Sequence, residues 1–134
     1  MSQDTETIIM GRIREEIDVD GRKCWTLFDS GARNSYITRR AAGELNVLPL
    51  SEPTATRLGG SVHQIREACL VQARLDSHAL HFQAAVLDDI GQDEDGRDID
   101  ILFGALAMQL WGIRLDPQNE RLDLSHFTSE FLEF

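Results

Sequence analysis

The sequence predicts an all-β, barrel-like domain with one or two short helices, and three observations lead there. Its apolar runs are short and rich in β-favouring residues, as in Cys24 to Phe28 and Ile99 to Phe103, too brief for surface helices. Turn-forming pairs separate these runs at regular intervals: Asp20-Gly21, Gly59-Gly60, Asp76-Ser77 and Asp116-Pro117. Only Arg39 to Leu45 and Leu106 to Leu110 keep helical spacing, and chains of many short strands with little helix form barrel-like domains.

Taken in order, residues 1–6 are polar and read as frayed, and Thr7 to Met10 is a short β segment. Arg12 to Val19 alternates loosely into the turn at Asp20-Gly21, and Lys23 to Phe28 returns as a buried strand that delivers Asp29. Asn34 to Ile37 follows, and Thr38 caps a helix over Arg39 to Leu45 that Asn46 ends. Pro49 and Pro53 mark an extended connector. Thr54 to Arg57 and Val62 to Ile65 are the arms of a hairpin about Gly59-Gly60. Glu67 to Leu75 pairs with Ala79 to Leu87 about Asp76-Ser77-His78, and the acidic, glycine-dotted Asp88 to Asp98 is an exposed loop. Ile99 to Phe103, the short helix, Gly112 to Leu115, the turn Asp116 to Asn119 and Arg121 to Leu124 complete the chain. With no repeat or linker to divide it, residues 1–134 read as one domain, 126–134 being an unusually apolar C-terminal tail.

Composition narrows the function. A chain of 134 residues is long enough for a core of its own. A net charge of −10 argues against a nucleic-acid partner, because no basic patch is present to release counterions. No apolar stretch approaches the ~20 residues that span a bilayer, and the acidic start Met1-Ser2-Gln3-Asp4 is the reverse of a secretion signal. A cytoplasmic protein without membrane contact is the expectation. Cys24 and Cys69 are too few for a disulfide framework and read as buried free thiols, a cross-strand bridge being the alternative.

The chemistry concentrates at Asp29-Ser30-Gly31-Ala32. A carboxylate at the end of a buried strand is costly unless it is hydrogen-bonded. Ser30 puts a hydroxyl beside it, and Gly31 lets the backbone turn sharply and aim an N–H at it. Asp, Ser and Gly also make ordinary β-turns, so this tetrapeptide alone decides little. Two further stretches stand with it: the hairpin tip Leu58-Gly59-Gly60-Ser61, and the apolar strand Leu102-Phe103 ending in Gly104 before a short helix. In this order and at these separations, the three parts resemble the retropepsin-like (retroviral-type) aspartic proteases, over roughly residues 7–125.

That resemblance implies a small closed barrel, a homodimer, and cleavage of peptide bonds in extended substrates without any cofactor. It makes Asp29 the catalytic carboxylate, with Ser30, Gly31 and Ala32 supporting the active loop. Leu58, Gly59, Gly60 and Ser61 become a mobile flap, and Leu102, Phe103 and Gly104 pack beneath the loop. Two carboxyls are needed, one ionised to take a proton from water and one protonated to polarise the substrate carbonyl. One Asp-Ser-Gly per chain supplies half of such a dyad, so the other half is Asp29 of a second copy. The family interleaves terminal strands at its interface, which would occupy Thr7 to Met10 and the tail residues Phe127, Phe131, Leu132 and Phe134. Ser30 stands where retropepsins usually have Thr, and Arg33 where retroviral members have an acid; Arg33 receives no catalytic role. The alternative is a catalytically silent dimeric barrel that serves as a binding or regulatory module.

Rival chemistries fit less well. His78 and His81 face opposite sides of a strand and lack further ligands nearby, so no metal is expected. Asp93-x-Asp95-Gly96-x-Asp98-x-Asp100 resembles a calcium loop, but the frame that puts Gly96 sixth begins at Gly91, which has no side-chain ligand. His63 is a polar residue near the hairpin tip, and no Gly-x-Ser-x-Gly of a serine hydrolase occurs.

Overall fold

The computed structural model describes residues 11–128 and 130. Seven strands form one sheet: β1 (Arg12–Val19), β2 (Arg22–Asp29), β3 (Tyr36–Thr38), β4 (Val47–Leu58), β5 (Ser61–Leu75), β6 (His78–Leu87) and β7 (Ile101–Phe103). Helix α1 (Arg39–Ala42) follows β3, and helix α2 (Ala105–Trp111) follows β7. A separate two-stranded sheet joins β8 (Arg114–Asp116) to β9 (Arg121–Asp123) across a 3₁₀ turn. The large sheet runs β1-β2-β7-β3-β6-β5-β4, and β1 also pairs with β5 through Asp18–Arg74 and Val19–Ala73. The protein is thus mostly β with few helices, as its sequence indicates. Among the described residues no helix is long and apolar enough to cross a membrane.

Three hairpins set the register. At Asp20-Gly21 both residues take positive φ, 54° and 84°, the twist that a two-residue hairpin turn needs. Gly59 and Gly60 do the same at 54° and 86°, which pairs Leu58 with Ser61. The third turn, Asp76-Ser77, joins β5 to β6, with Asp76 at φ 54°. Strand β5 is one continuous element serving two hairpins, where the sequence suggested two separate strands.

The core forms between the faces of these strands. Along β6, Leu80, Phe82, Ala84 and Val86 point inward while Ala79, His81 and Gln83 are exposed, the alternation of a half-buried strand. Strand β2 lies between β1 and β7 and is buried from Thr26 to Asp29. Phe103 is fully buried and meets the rings of Phe28 at 4.9 Å and Phe82 at 4.8 Å. Cys24 and Cys69 are both buried free thiols. Burial pushes the Cys24 thiol up to about 11 and that of Cys69 upward too.

Several expectations need correction. Helix α1 ends at Gly43, whose φ of 51° and N–H bond to the Arg39 carbonyl close it, so Leu45 and Asn46 lie outside it. Its start is as read, the Thr38 hydroxyl accepting the Ala41 N–H at 3.1 Å. Pro49 and Pro53 lie within β4 rather than a connector; β4 pairs only with β5, and an edge strand tolerates missing N–H groups. The register against β5 shifts between Pro49 and Thr54. Phe127 stacks on Trp111 with ring centroids 5.7 Å apart and meets His78 at 4.4 Å, contacts that leave the expected interface role of the tail untouched. Residues Thr7 to Met10, Phe131, Leu132 and Phe134 lie outside the described residues.

The acidic loop is also less free than its composition suggests. The Asp93 side chain is only 3% exposed. One of its oxygens accepts the N–H groups of Asp95 and Arg97, both at 2.9 Å, and the other accepts the Trp25 indole N–H at 2.7 Å. Arg14 stands 3.2 Å from the same carboxylate, and Arg97 lies over the Trp25 ring. The Arg97 N–H foremost, helped by the Trp25 indole, the Asp95 N–H and Arg14, holds the Asp93 carboxyl down at about 2, below the 3.8 of a free aspartate. A depressed carboxyl adds stability above its unfolded value and loses it as pH falls through the folded one. Asp93→Asn should therefore melt below wild type above pH 3.8, with the gap closing by about pH 2. Thermal melts in half-unit pH steps would show it, and a gap independent of pH would contradict this account.

Candidate active site

Asp29 is the last residue of β2 and is 9% exposed, a carboxylate held at the edge of the core. Its two oxygens have different partners. The Gly31 N–H donates to Oδ1 at 2.8 Å, and Arg12 Nε lies 3.3 Å from Oδ2. The ladder fixes Arg12 there, because Arg12 is the direct cross-strand partner of Asp29 and shares its face. The Arg12 side chain is 73% exposed, so water screens the pair and it orients the carboxylate more than it stabilises the fold.

The loop after Asp29 is held on all sides. The Ala32 N–H donates to the Asp29 carbonyl at 3.2 Å, and the Ser30 N–H to the Gly11 carbonyl at 3.1 Å. The Ser30 hydroxyl accepts the Gly11 N–H at 2.9 Å and reaches the Gly11 carbonyl at 3.3 Å. Among the described residues, then, this hydroxyl ties the loop to the chain's own β1 end. From the other side the first N–H groups of α2 donate to the loop, Ala105 to the Ala32 carbonyl and Leu106 to that of Arg33. Helix-start donors need such partners, and the loop provides them.

Gly104 explains why the two segments come so close. A Cβ there would sit 2.2 Å from the Asn34 carbonyl oxygen and 2.8 Å from that of Arg33, so only glycine fits. Its N–H donates to the Ser35 hydroxyl at 3.0 Å. Gly104 thus packs against the back of the loop, at residues 33–35, rather than under Asp29 itself.

Above the loop stands the β4–β5 hairpin. A cleft of about 890 Å³ lies between them and takes in Asp29, Gly31 and Ala32 from the loop, Leu58, Gly59 and Ser61 from the hairpin tip, and Leu102 from β7. Ser30, Gly60, Phe103 and Gly104 are not part of its wall; Phe103 belongs to the core and Gly104 to the back of the loop. The Tyr36 hydroxyl meets the Thr56 hydroxyl at 2.8 Å and joins hairpin to floor. Tyr36, Ile65, Leu87 and Leu102 form a small buried cluster, with Ala32 and Leu58 packed on it. A shallower groove of about 470 Å³ continues past Arg33 toward Leu106 and Leu110.

Among the residues of the site that escaped the sequence reading are Ser35, Tyr36 and Arg12. Ser35 and Tyr36 carried no motif. Arg12 was legible in principle, since a two-residue turn at Asp20-Gly21 counts back to Arg12 opposite Asp29. The rival sites resolve into structural roles. The ring of His78 rests on Phe127, and that of His81 meets Trp111 edge-on while its carbonyl accepts the Trp111 indole N–H. Asp100 accepts the Trp25 backbone N–H, and Asp93 accepts the Trp25 indole N–H together with the N–H groups of Asp95 and Arg97. Among the described residues no three His, Cys, Asp or Glu side chains gather as metal ligands.

The tight Gly104 contact has a measurable consequence. Gly104→Ala should destabilise the protein by roughly 1–3 kcal/mol, the usual cost of forcing atoms into a filled space. Urea unfolding reads this directly, and an unchanged midpoint would show that the loop yields freely.

Comparison with known proteins follows the same geometry. The model of a family described as aspartyl protease matches residues 16–106, from β1 through Asp29 and the hairpin to the start of α2. No curated protein matches the chain by sequence. Among solved structures, the retroviral protease-like domain of Ddi1 from Leishmania major aligns over 87% of this chain and 90% of its own, with a TM-score of 0.63 at 15% identity. The EIAV protease, solved in complex with the inhibitor HBY-793, aligns over 87% of this chain and 99% of its own, with a TM-score of 0.51 at 16% identity. These likenesses carry the fold, which is retropepsin-like. Since the family match takes in the buried acid, the glycine-tipped hairpin and the strand behind the loop together, the chain belongs to the aspartyl protease family.

Proposed function

We propose that the chain is an aspartic endopeptidase whose catalytic carboxylate is Asp29, working as a dyad with Asp29 of a second copy. The observation that carries this is the setting of Asp29: a nearly buried acid, anchored by the Gly31 N–H, at the floor of a cleft roofed by a glycine-tipped hairpin. In the reaction the ionised member of the dyad takes a proton from water, whose oxygen attacks the substrate carbonyl carbon. The protonated member donates to the carbonyl oxygen, and the amide nitrogen leaves with a proton returned by the pair. Carboxyls about 3 Å apart share one proton, which supplies both roles at once.

In this reading Gly59 and Gly60 are the tip of a flap, their positive φ leaving backbone N–H groups free to approach an extended peptide. Ser30, Gly31 and Ala32 hold the loop, and the homodimer has a two-fold axis past Asp29. In the same reading the barrel is closed, which the two-residue β1–β5 pairing supports. Two buried free thiols suit a reducing compartment, and the cytoplasm is proposed on that ground. No cofactor is required.

One observation favours the second reading, a silent module of the same fold: Arg12 already pairs with an Asp29 oxygen. Activity separates the two. Asp29→Asn should lower peptide cleavage by at least ~10³-fold, as loss of a catalytic group does, while circular dichroism and melting temperature stay near wild type. Cleavage that survives in the purified variant would remove the protease assignment.

The shared dyad predicts a concentration dependence as well. Specific activity should fall on dilution in step with dissociation seen by sedimentation. An active monomer would refute the two-chain dyad and turn attention to Asp89, a second aspartate on the same cleft.

A further inference from the structure

The charges around the cleft do not follow those of the chain. The protein carries −10 overall, yet three arginines, Arg12, Arg33 and Arg57, line the cleft against two aspartates, Asp29 and Asp89. Three of these charges have partners within the fold. Arg12 faces Asp29, and an Asp89 oxygen accepts the Gly91 N–H. Arg33 differs. Among the described residues, ion pairs engage Arg12, Arg14, Arg39, Arg40, Arg97 and Arg121, and Arg33 takes part in none of them.

The backbone of Arg33 is fixed while its side chain is not used by the fold. Its carbonyl accepts the Leu106 N–H and lies against Gly104, which sets its Cα relative to Asp29 four residues earlier. The side chain itself is exposed, and the residue lines both the cleft and the groove that continues from it. A peptide running from one to the other would cross this cation.

We propose that Arg33 makes the cleft selective for peptides carrying a carboxylate side chain within two or three residues of the scissile bond. The inference rests on the peptide-cleaving reading for its substrate class. A guanidinium offers a planar pair of donors that matches a carboxylate in a bidentate fashion. Closure of the hairpin over a bound peptide removes water and strengthens that pairing relative to an exposed ion pair. Arg57, on the β4 arm at the rim, adds a second positive charge to the same approach. The long-range field of an acidic protein repels acidic peptides, so the preference has to come from close contact.

Binding tests this separately from catalysis. Asp29→Asn protein would be titrated, by fluorescence anisotropy, with three random decapeptide libraries whose central residue is fixed as Glu, Gln or Lys. The Glu library should bind about tenfold more tightly than the Lys library; adding Arg33→Gln should erase most of that difference, and Arg33→Glu should reverse it. Reversal is a result that a purely structural role would not give. The same ranking in all three proteins, or no binding by any library, would overturn the proposal. In parallel, wild type would digest a proteome-derived peptide library read by mass spectrometry. Cuts without acidic enrichment would overturn the selectivity while leaving the protease reading intact. Absence of any cut would remove the protease reading, with the binding ranks still deciding the role of Arg33.

Discussion

Placing the Asp29 carboxylate at the edge of an apolar core is the constraint on which the rest of this structure depends. A carboxylate removed from water needs donors, and here one oxygen has the Gly31 N–H and the other the Arg12 guanidinium. The first donor requires the chain to turn immediately after β2, which Ser30 and Gly31 permit. The second requires the β1–β2 ladder in one register only, since a one-residue slip would send Arg12 to the other face.

Everything behind the loop follows from keeping that turn in place. The N–H groups of Ala105 and Leu106 hold the Ala32 and Arg33 carbonyls, and Gly104 allows the approach that makes those bonds possible. Strand β7 delivers Gly104 there because it pairs parallel to β2 through Thr26–Ile101, Leu27–Leu102 and Phe28–Phe103. The aromatic contact of Phe28 with Phe103 then locks the two strands at the level of the loop. The loop backbone after Asp29 is thus held by hydrogen bonds from two sides, the kind of support that precise positioning of a side chain needs. The β4–β5 hairpin above is the opposite case: β4 is an edge strand interrupted in register near Pro49 to Thr54, and its tip is exposed glycine.

Much of this was legible in the sequence, for physical reasons that differ by element. Asp20-Gly21 and Gly59-Gly60 specify two-residue turns because positive φ is required twice, and both hairpins take the expected arms. The burial of Phe28 and Phe103 follows from their place in short apolar runs. Local pattern failed where tertiary pairing decides. Pro49 and Pro53 argue against a strand until one knows that β4 is an edge with a single neighbour. The composition of Asp88 to Asp98 suggests a solvated loop, yet Asp93 is drawn inward by a tryptophan sixty-eight residues earlier in the chain. Ser35 could not be singled out, because its partner is the Gly104 N–H, a contact that exists only after β3 and β7 have met.

The central claim is that two copies of Asp29 form one reactive centre, and the distance between them tests it most directly. In a crystal structure of the active assembly, the two Asp29 carboxyls should lie about 3 Å apart across a two-fold axis, close enough to share a proton. Carboxyls held apart, each still paired with its own Arg12, would contradict the account and leave the chain a binding module built on a protease fold.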